Sequence, residues 1–472
     1  MNINYKIYFL LVAVAGFSSC KKWLDVKPKT QIESGDHFKT EQGFQDALTG
    51  VYLNMAKPAV YGKELSYGLV DVLGKNYTQF YYSEDYLNDS RYNYAFRSTK
   101  ARIDAIWKES YFSIANVNNL IANLETADRN LFEGTNYNVI KGEAYALRAF
   151  NHFDLLRLFA PAPSVAGGNV KAIPYRSSFE NGNVQVGTVA EFIAKLIADL
   201  ELASSLLKDS DPIASTTNAP AGGYLRDRTF KLNYYAVRAL MARIYLYQGD
   251  KDKALACAKE VIESQKFPAT SVSQIVAGNK IMSTEVIFSL YKNTLAADYN
   301  FSFSGVPTST GMYLSSSEWS DVYELSNGGS SDYRYLYQTE IVNYSRYTTK
   351  FRPAANGTSG TAWENRLPLM RVSEMYDIAA ECLAETDPGS AVGYLNAIRA
   401  TRNLPGLPNG LTTAIIQNEV FKEYRKDFIT EGQLFFYYKR LNKAQIAFSQ
   451  IPGDAKVYVL PLPDDEIEFG NQ

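Results

Sequence analysis

The stretch Gly142 to Pro163, GEAYALRAFNHFDLLRLFAPAP, decides the fold class. Ile140, Ala144, Leu147, Leu155 and Leu158 share one helical face, and Ala146, Ala149, Phe150, Phe153 and Leu156 fill the adjoining one. Apolar surface over most of the circumference predicts a helix buried between other helices, not one lying on a surface. Pro161 and Pro163 stop it. Gly142 and the alanines after it let neighbouring helices come close. His152 lies inside this helix, where a packed or hydrogen-bonding imidazole is expected rather than a proton switch.

Further helices follow in both directions. Gly43 to Ala56 is amphipathic and ends at Pro58, and another helix runs from Ala101 to about Ala127. Thr188 with Glu191 three residues on is a capping-box pattern that opens a helix to Leu207. Leu232 to Glu263 is the clearest repeat unit. Val237, Leu240, Met241, Ile244 and Tyr245 repeat helically, Gln248-Gly249-Asp250 turns the chain, and Asp252 to Ile262 returns. Ala242, Tyr245, Ala254 and Val261 fit the tetratricopeptide spacing. Asp387-Pro388 starts a later helix, with Pro388 at its first position. Leu434 to Phe448 is expected as the last helix, and Glu285 to Leu290 as a short strand. The expected class is mainly all-α: tetratricopeptide-like helical pairs as scaffold, long irregular loops, and little β structure.

The inventory excludes much chemistry. The 472 residues carry a net charge of -2, so no electrostatic footprint for nucleic acid is present. Two histidines (His37, His152) rule out histidine-based catalysis and a multi-histidine metal site, and no cofactor or metal is expected. Cys257 and Cys382 lie in apolar helical runs and read as buried thiols, a disulfide between them staying open. Gly68 to Asn76 has the glycines of a phosphate-binding loop one residue too far apart, with Asn76 where a hydroxyl would hold magnesium, and is rejected. Fifty acidic residues make carboxylate pairs inevitable, so pairs alone do not argue for a glycosidase.

Residues 1–19 read as a targeting segment: Lys6, the apolar run Ile7 to Ala15, then Phe17, Ser18 and Ser19 before Cys20. Small residues before a cysteine resemble a bacterial lipobox, which makes Cys20 the lipid-modified amino terminus. Residues 20–40 read as a tether and N-terminal segment, and 41–472 as one α-helical domain.

Tyrosine is in excess, with 35 Tyr and 25 Phe against 4 Trp. Each buried phenol needs a hydrogen-bond partner, so not all are expected in the core. Many fall in two regions where periodicity fails, 59–100 and 291–361, among Asn, Asp, Ser, Gly and Arg. Long irregular regions of this kind are where binding residues concentrate.

Several separated segments together resemble the SusD/RagB family of Bacteroidetes surface lipoproteins. They are Cys20 followed by WLDVKP, IWKESYFSIANVNN, the opening stretch, ALMARIYLYQGDKDKAL, LPLMRVSEMYDIAAECL with Lys350 upstream, LNAIRATRN, EVFKEYRKDFITEG, and the closing LPLP with Glu466. They occur in the family's order along almost the whole chain. After Glu431-Gly432 the chain departs from the usual Arg-acidic pattern with Gln433 to Tyr438, as expected of a divergent branch. The resemblance implies a non-enzymatic, lipid-anchored outer-membrane protein, displayed outwards, that captures an oligosaccharide or other oligomer. It also implies a SusC-like, TonB-dependent transporter as partner. On that reading Tyr82, Tyr94 and Arg97 in the first aromatic region, and Tyr299, Tyr313 and Trp319 in the second, are the expected ligand contacts. The alternative is a helical-repeat lipoprotein that binds protein or peptide through a flat apolar helix face.

Overall fold

The computed structural model describes residues 37–80, 84–180, 182, 184–215, 223–305, 311–353, 361 and 363–469. The leader, Cys20 and most of the tether lie outside the described residues, as does Tyr82.

The longer helices are α1 (Glu41–Met55), α2 (Arg97–Thr126), α3 (Asn136–Phe159), α4 (Val189–Lys208), α5 (Tyr234–Gln248), α6 (Lys251–Glu263), α7 (Leu295–Phe303), α8 (Ser316–Tyr323), α9 (Val372–Leu383), α10 (Pro388–Thr401), α11 (Thr413–Asp427) and α12 (Leu434–Arg440). From α1 to α6 each scaffold helix packs on the next, and α6 continues onto α9, α10 and α11. The chain is thus mainly helical, with helical pairs stacked as in tetratricopeptide arrays. The described strands form two-stranded antiparallel pairs: β1 (Gln79–Phe80) with β3 (Met312–Tyr313), β2 (Val286–Tyr291) with β6 (Arg366–Arg371), and β4 (Thr339–Val342) with β5 (Ser345–Thr348).

Local chemistry sets the helix ends. Thr188 caps α4 in a complete capping box with Glu191. Asn233, Asp250 and Asp387 cap α5, α6 and α10 through their side chains. Gly249 takes a φ of 93°, which folds α6 back on α5. The last expected helix is shorter than Leu434 to Phe448. Asn442 adopts φ 46°, Asn442 N–H donates to Lys439 O (3.0 Å) and Lys443 N–H to Tyr438 O (3.0 Å), a Schellman ending that closes α12.

The central helix α3 is buried on almost every side. At Gly142 a Cβ would lie 2.7 Å from Leu207 Cγ, so α4 approaches α3 as only glycine allows. The polar residues of α3 are buried with partners. Glu143 accepts from Tyr52 Oη (2.8 Å) and Tyr224 Oη (3.1 Å) and pairs with Arg228 (2.5 Å). Arg148 grips Asp199 through two bonds of 2.6 and 2.7 Å. Tyr61 Oη donates to Asp154 (2.8 Å), which also pairs with Arg157. His152 lies 2.9 Å from Arg148 O through Nδ1, accepts from Arg176 N–H at Nε2 (3.1 Å) and stacks on Tyr175 at 4.1 Å. Desolvation pushes its pKa down to about 3, so it stays neutral. Cys257 and Cys382 are free thiols, and burial pushes them up to about 11 and about 12.

The two aromatic regions are more ordered than expected. They hold short helices (Leu69–Leu73, Glu84–Ser90, α7, α8 and Tyr333–Tyr337) and the β1–β3 and β4–β5 pairs. Helices this short show too few turns for periodicity to register. They close over a second hydrophobic core containing Tyr67, Tyr77, Tyr86, Tyr299, Phe303, Trp319, Tyr323 and Phe351. The rejected phosphate-loop segment has a structural role there. Asp71, buried, accepts from Asn76 (2.8 Å), Tyr77 (3.1 Å), and the backbone N–H groups of Thr430 (2.7 Å) and Gly432 (2.9 Å). It thereby clamps the turn in which Thr430 is held at φ 74°.

Candidate functional site

The two aromatic regions meet at β1–β3, where Gln79 faces Tyr313 and Phe80 faces Met312. Phe80 and Met312 point into the second core. Gln79 and Tyr313 therefore share the outward face, an amide beside an aromatic ring. The Tyr313 ring lies 4.9 Å from that of Tyr347 on β5. The β4–β5 hairpin turns through Asn343 and Tyr344, both at positive φ (48° and 65°), which suits a two-residue turn between twisted strands. Tyr344 at the tip is 100% exposed. Asn343 Nδ2 donates to Gly305 O (3.1 Å), and a Cβ on Gly305 would meet the Tyr347 ring at 2.7 Å, so the hairpin tip is pinned to the end of α7. From α7, Phe301 projects with 51% exposure, with Lys63 Nζ 5.9 Å from its ring.

Beneath these rings the support is rigid. Trp319 Nε1 donates to Arg346 O (2.9 Å), and Arg346 lies over the Tyr335 ring at 4.4 Å. Arg352 pairs with Glu340 and donates to Tyr299 Oη (3.2 Å). Exposed rings and amides thus stand on segments tied to one another through β1–β3, Tyr347 and Gly305, with the Arg352–Glu340 ion pair at β4. The arrangement is suited to stacking on a flat, hydroxylated ligand while hydrogen-bonding its edge. Among the described residues no cluster of three or more His, Cys, Asp or Glu side chains could hold a metal ion.

The expected contact residues are divided by the structure. Tyr299, Tyr313 and Trp319 share the second core region, but Tyr299 and Trp319 are buried within it, their polar atoms taken by Arg352 and Arg346. Only Tyr313 of the three reaches the surface. Tyr94 is buried elsewhere, in the main core, donating to Val457 O (2.6 Å). Arg97 is exposed at the start of α2. Tyr94, Tyr299 and Trp319, expected as ligand contacts, are buried, so the structure does not present their ring faces to solvent. The excess of tyrosine is largely a core feature: Tyr52, Tyr61 and Tyr86 each donate to a carboxylate, of Glu143, Asp154 and Glu64 respectively. Gln79, Phe301 and Tyr344, not singled out from the sequence, stand exposed. The alternation of Thr339 to Thr348 around Asn343-Tyr344 is the hairpin signal that points to Tyr344.

Comparison with known proteins bears on the whole chain. Residues 22–246 match a family model described as "Starch-binding associating with outer membrane", and residues 279–467 match the SusD family model. SusD-like protein P2 of Formosa agariphila is 25% identical, with 98% of this chain and 97% of that protein aligned. A SusD superfamily protein of Bacteroides vulgatus superposes with a TM-score of 0.72 at 22% identity, over 91% of this chain and 97% of its own. Surface glycan-binding protein A of Bacteroides uniformis superposes with a TM-score of 0.70 at 20% identity, over 91% and 98%. The two family models in tandem, the full-length relative and the shared helical architecture agree, and the chain belongs to the SusD/RagB family.

Proposed function

We propose that this protein binds an extracellular glycan on the surface around Gln79, Tyr313, Tyr344 and Phe301. It passes the glycan, chemically unaltered, to a SusC-like TonB-dependent transporter. The observation that carries the reading is the contrast within the second core: its rings are buried and hydrogen-bonded, while Tyr344 and Phe301 stand exposed on a pinned hairpin and helix. Rigid exposed rings lose little freedom when a sugar stacks on them. Family membership and the glycan-binding relative of similar fold support carbohydrate as the ligand class. Open sites of this kind gain from several contacts along a polymer.

The leader at 1–19, acylation at Cys20 and the tether at 20–40 belong to the same proposal. No helix among the described residues is long and apolar enough to cross a membrane. A lipid on Cys20 would then hold the protein at the outer membrane. Native affinity electrophoresis through gels containing amylopectin, laminarin, xylan or pectin tests the binding, and retardation by at least one is expected. Uniform mobility in all of them contradicts it. Radiolabelled palmitate should enter the wild type and not Cys20→Ala. Purification from the native membrane should bring a TonB-dependent transporter with it.

A further inference from the structure

A cleft of about 600 Å³ lies away from the β1–β3 surface, lined by Tyr224, Phe230, Lys231, Tyr291, Arg226 and Arg366 among others. Its wall is an aromatic platform. Tyr291, the last residue of β2, is 55% exposed and meets the Phe230 ring edge-to-face at 6.2 Å. Arg366, opposite Tyr291 in the β2–β6 register, lays its guanidinium over Phe230 at 4.0 Å and donates to Thr229 Oγ1 (2.9 Å). At the cleft's edge is Lys231. Its Nζ sits between two phenol rings, 4.8 Å from Tyr52 and 5.2 Å from Tyr224, whose hydroxyls are both engaged by Glu143. Glu143 in turn is paired with Arg228. Lys231 forms no ion pair among the described residues, whereas the buried Arg228 and the exposed Arg226 both do. Burial lowers its pKa and Arg228 adds to the effect, while Glu143 opposes it. Two carboxylates, Asp227 and Glu364, also line the cleft beside its three cations Arg226, Lys231 and Arg366, and Asp227 is paired with Arg226.

An exposed tyrosine ring beside a half-buried ammonium that has no ion pair among the described residues is complementary to a sugar ring that carries an anion. We propose that this cleft is a second saccharide site, selective for an anionic sugar unit. The ring stacks on the exposed Tyr291, which Phe230 and Arg366 back, and its carboxylate or sulfate ester accepts from Lys231 Nζ. The proposal rests on the saccharide-binding reading above and adds a second location and a charge preference.

Isothermal titration of the purified protein with three probes of equal length tests it: an oligogalacturonide, a sulfated galactan oligosaccharide and a neutral galactan oligosaccharide. One anionic probe is expected to bind on the order of tenfold more tightly than the neutral one, through a charge-assisted contact that weakens as salt is raised. Which anionic probe binds distinguishes carboxylate from sulfate. Lys231→Met keeps the aliphatic stem on the tyrosines and is expected to abolish the preference, and Lys231→Arg to keep it. Should Lys231→Met fail to fold, Tyr291→Ala at an exposed position is expected to weaken anionic binding by a similar factor. Equal affinity for neutral and anionic probes, or a preference that survives both Lys231→Met and Tyr291→Ala, overturns the second site while leaving glycan binding intact. Failure of every saccharide, these and the neutral polymers above, overturns the glycan reading itself.

Discussion

Asp377 on α9 is buried with neither carboxylate oxygen hydrogen-bonded to a described partner. Desolvation first, then the nearby Asp427 and Glu423 charges, raise its pKa well above the ordinary carboxylate value. The folded state therefore keeps a proton that the unfolded state releases near pH 4. That difference subtracts stability as pH rises above the unfolded pKa. Asp377→Asn removes the titration at nearly constant side-chain size. It should stabilise the protein at pH 7 by about 1 kcal/mol or more, with the gain shrinking as pH falls toward 4. Thermal unfolding of both proteins across pH 4–8 checks this. A Tm for Asp377→Asn that is lower at pH 7 contradicts it. The same scale explains why contact residues were hard to read from sequence. A tyrosine's type does not say whether it is core or platform. What decides is an acceptor elsewhere in the chain, as Glu143 is for Tyr52 across 91 positions. Trp319 and Tyr299 have the composition of a sugar site around them and are core; Tyr344 has the same neighbours and is fully exposed.

Elements whose ends are set by local chemistry were legible. The Thr188–Glu191 box, Gly249, and Asp387 before Pro388 each act within a few residues, and each stands where the pattern put it. Strand Val286–Tyr291 was legible too, but its partner Arg366–Arg371 was not, because pairing across the intervening chain leaves no local trace. Packing between α3 and α4 gives a prediction at this scale. Gly142→Ala gains about 1 kcal/mol of helix propensity. It also places a Cβ 2.7 Å from the branch atom of Leu207, and overpacking of this kind costs about 1–3 kcal/mol. The overpacking should win. Urea unfolding is expected to show net destabilisation of up to about 2 kcal/mol, and a more stable variant would mean that the helices move apart freely.

Across the whole molecule, a buried ionic network ties the aromatic core to the helical scaffold. Arg334 binds Asp332, Glu423 and Asp427; Arg371 binds Glu431 and Asp427; Arg402 binds Glu285; Lys350 binds Glu431. These residues come from the second aromatic region, β6, the α10 terminus and α11, so the network fixes the candidate surface relative to the stacked helices. Arg371→Met takes one cation from Glu431, which keeps Lys350, and one from Asp427, which keeps Arg334 and Arg402, and should destabilise by about 3 kcal/mol. Chemical denaturation measures this, and a loss below about 1 kcal/mol would show that the network is dispensable. The network also sets the acid response. The arginines hold Glu423 down to about 2 and Asp427 well below the usual range, although burial alone pushes both up. Depressed carboxylates contribute stability that is fully present above their unfolded pKa and is lost as pH falls through the folded value. His152 acts in the same direction below about pH 6.5, because the unfolded imidazole takes a proton that the folded one refuses. Between about pH 4 and 6.5 the raised Asp71, Asp89 and Asp377 oppose His152, so the steep fall in stability is expected between about pH 4.5 and 2. A flat Tm across that range would contradict this assignment of charge.

The most direct test of glycan binding at the exposed aromatic surface is a double substitution, Phe301→Ala with Tyr344→Ala, in the protein titrated calorimetrically with the polysaccharide that retards it most in affinity gels. Both side chains are solvent-exposed, so the variant should unfold at the wild-type temperature. Ring stacking of this kind is worth about 1–3 kcal/mol in all, so affinity should drop on the order of tenfold or more. Unchanged affinity in a variant that folds as the wild type does would contradict the account and move the binding site away from this surface.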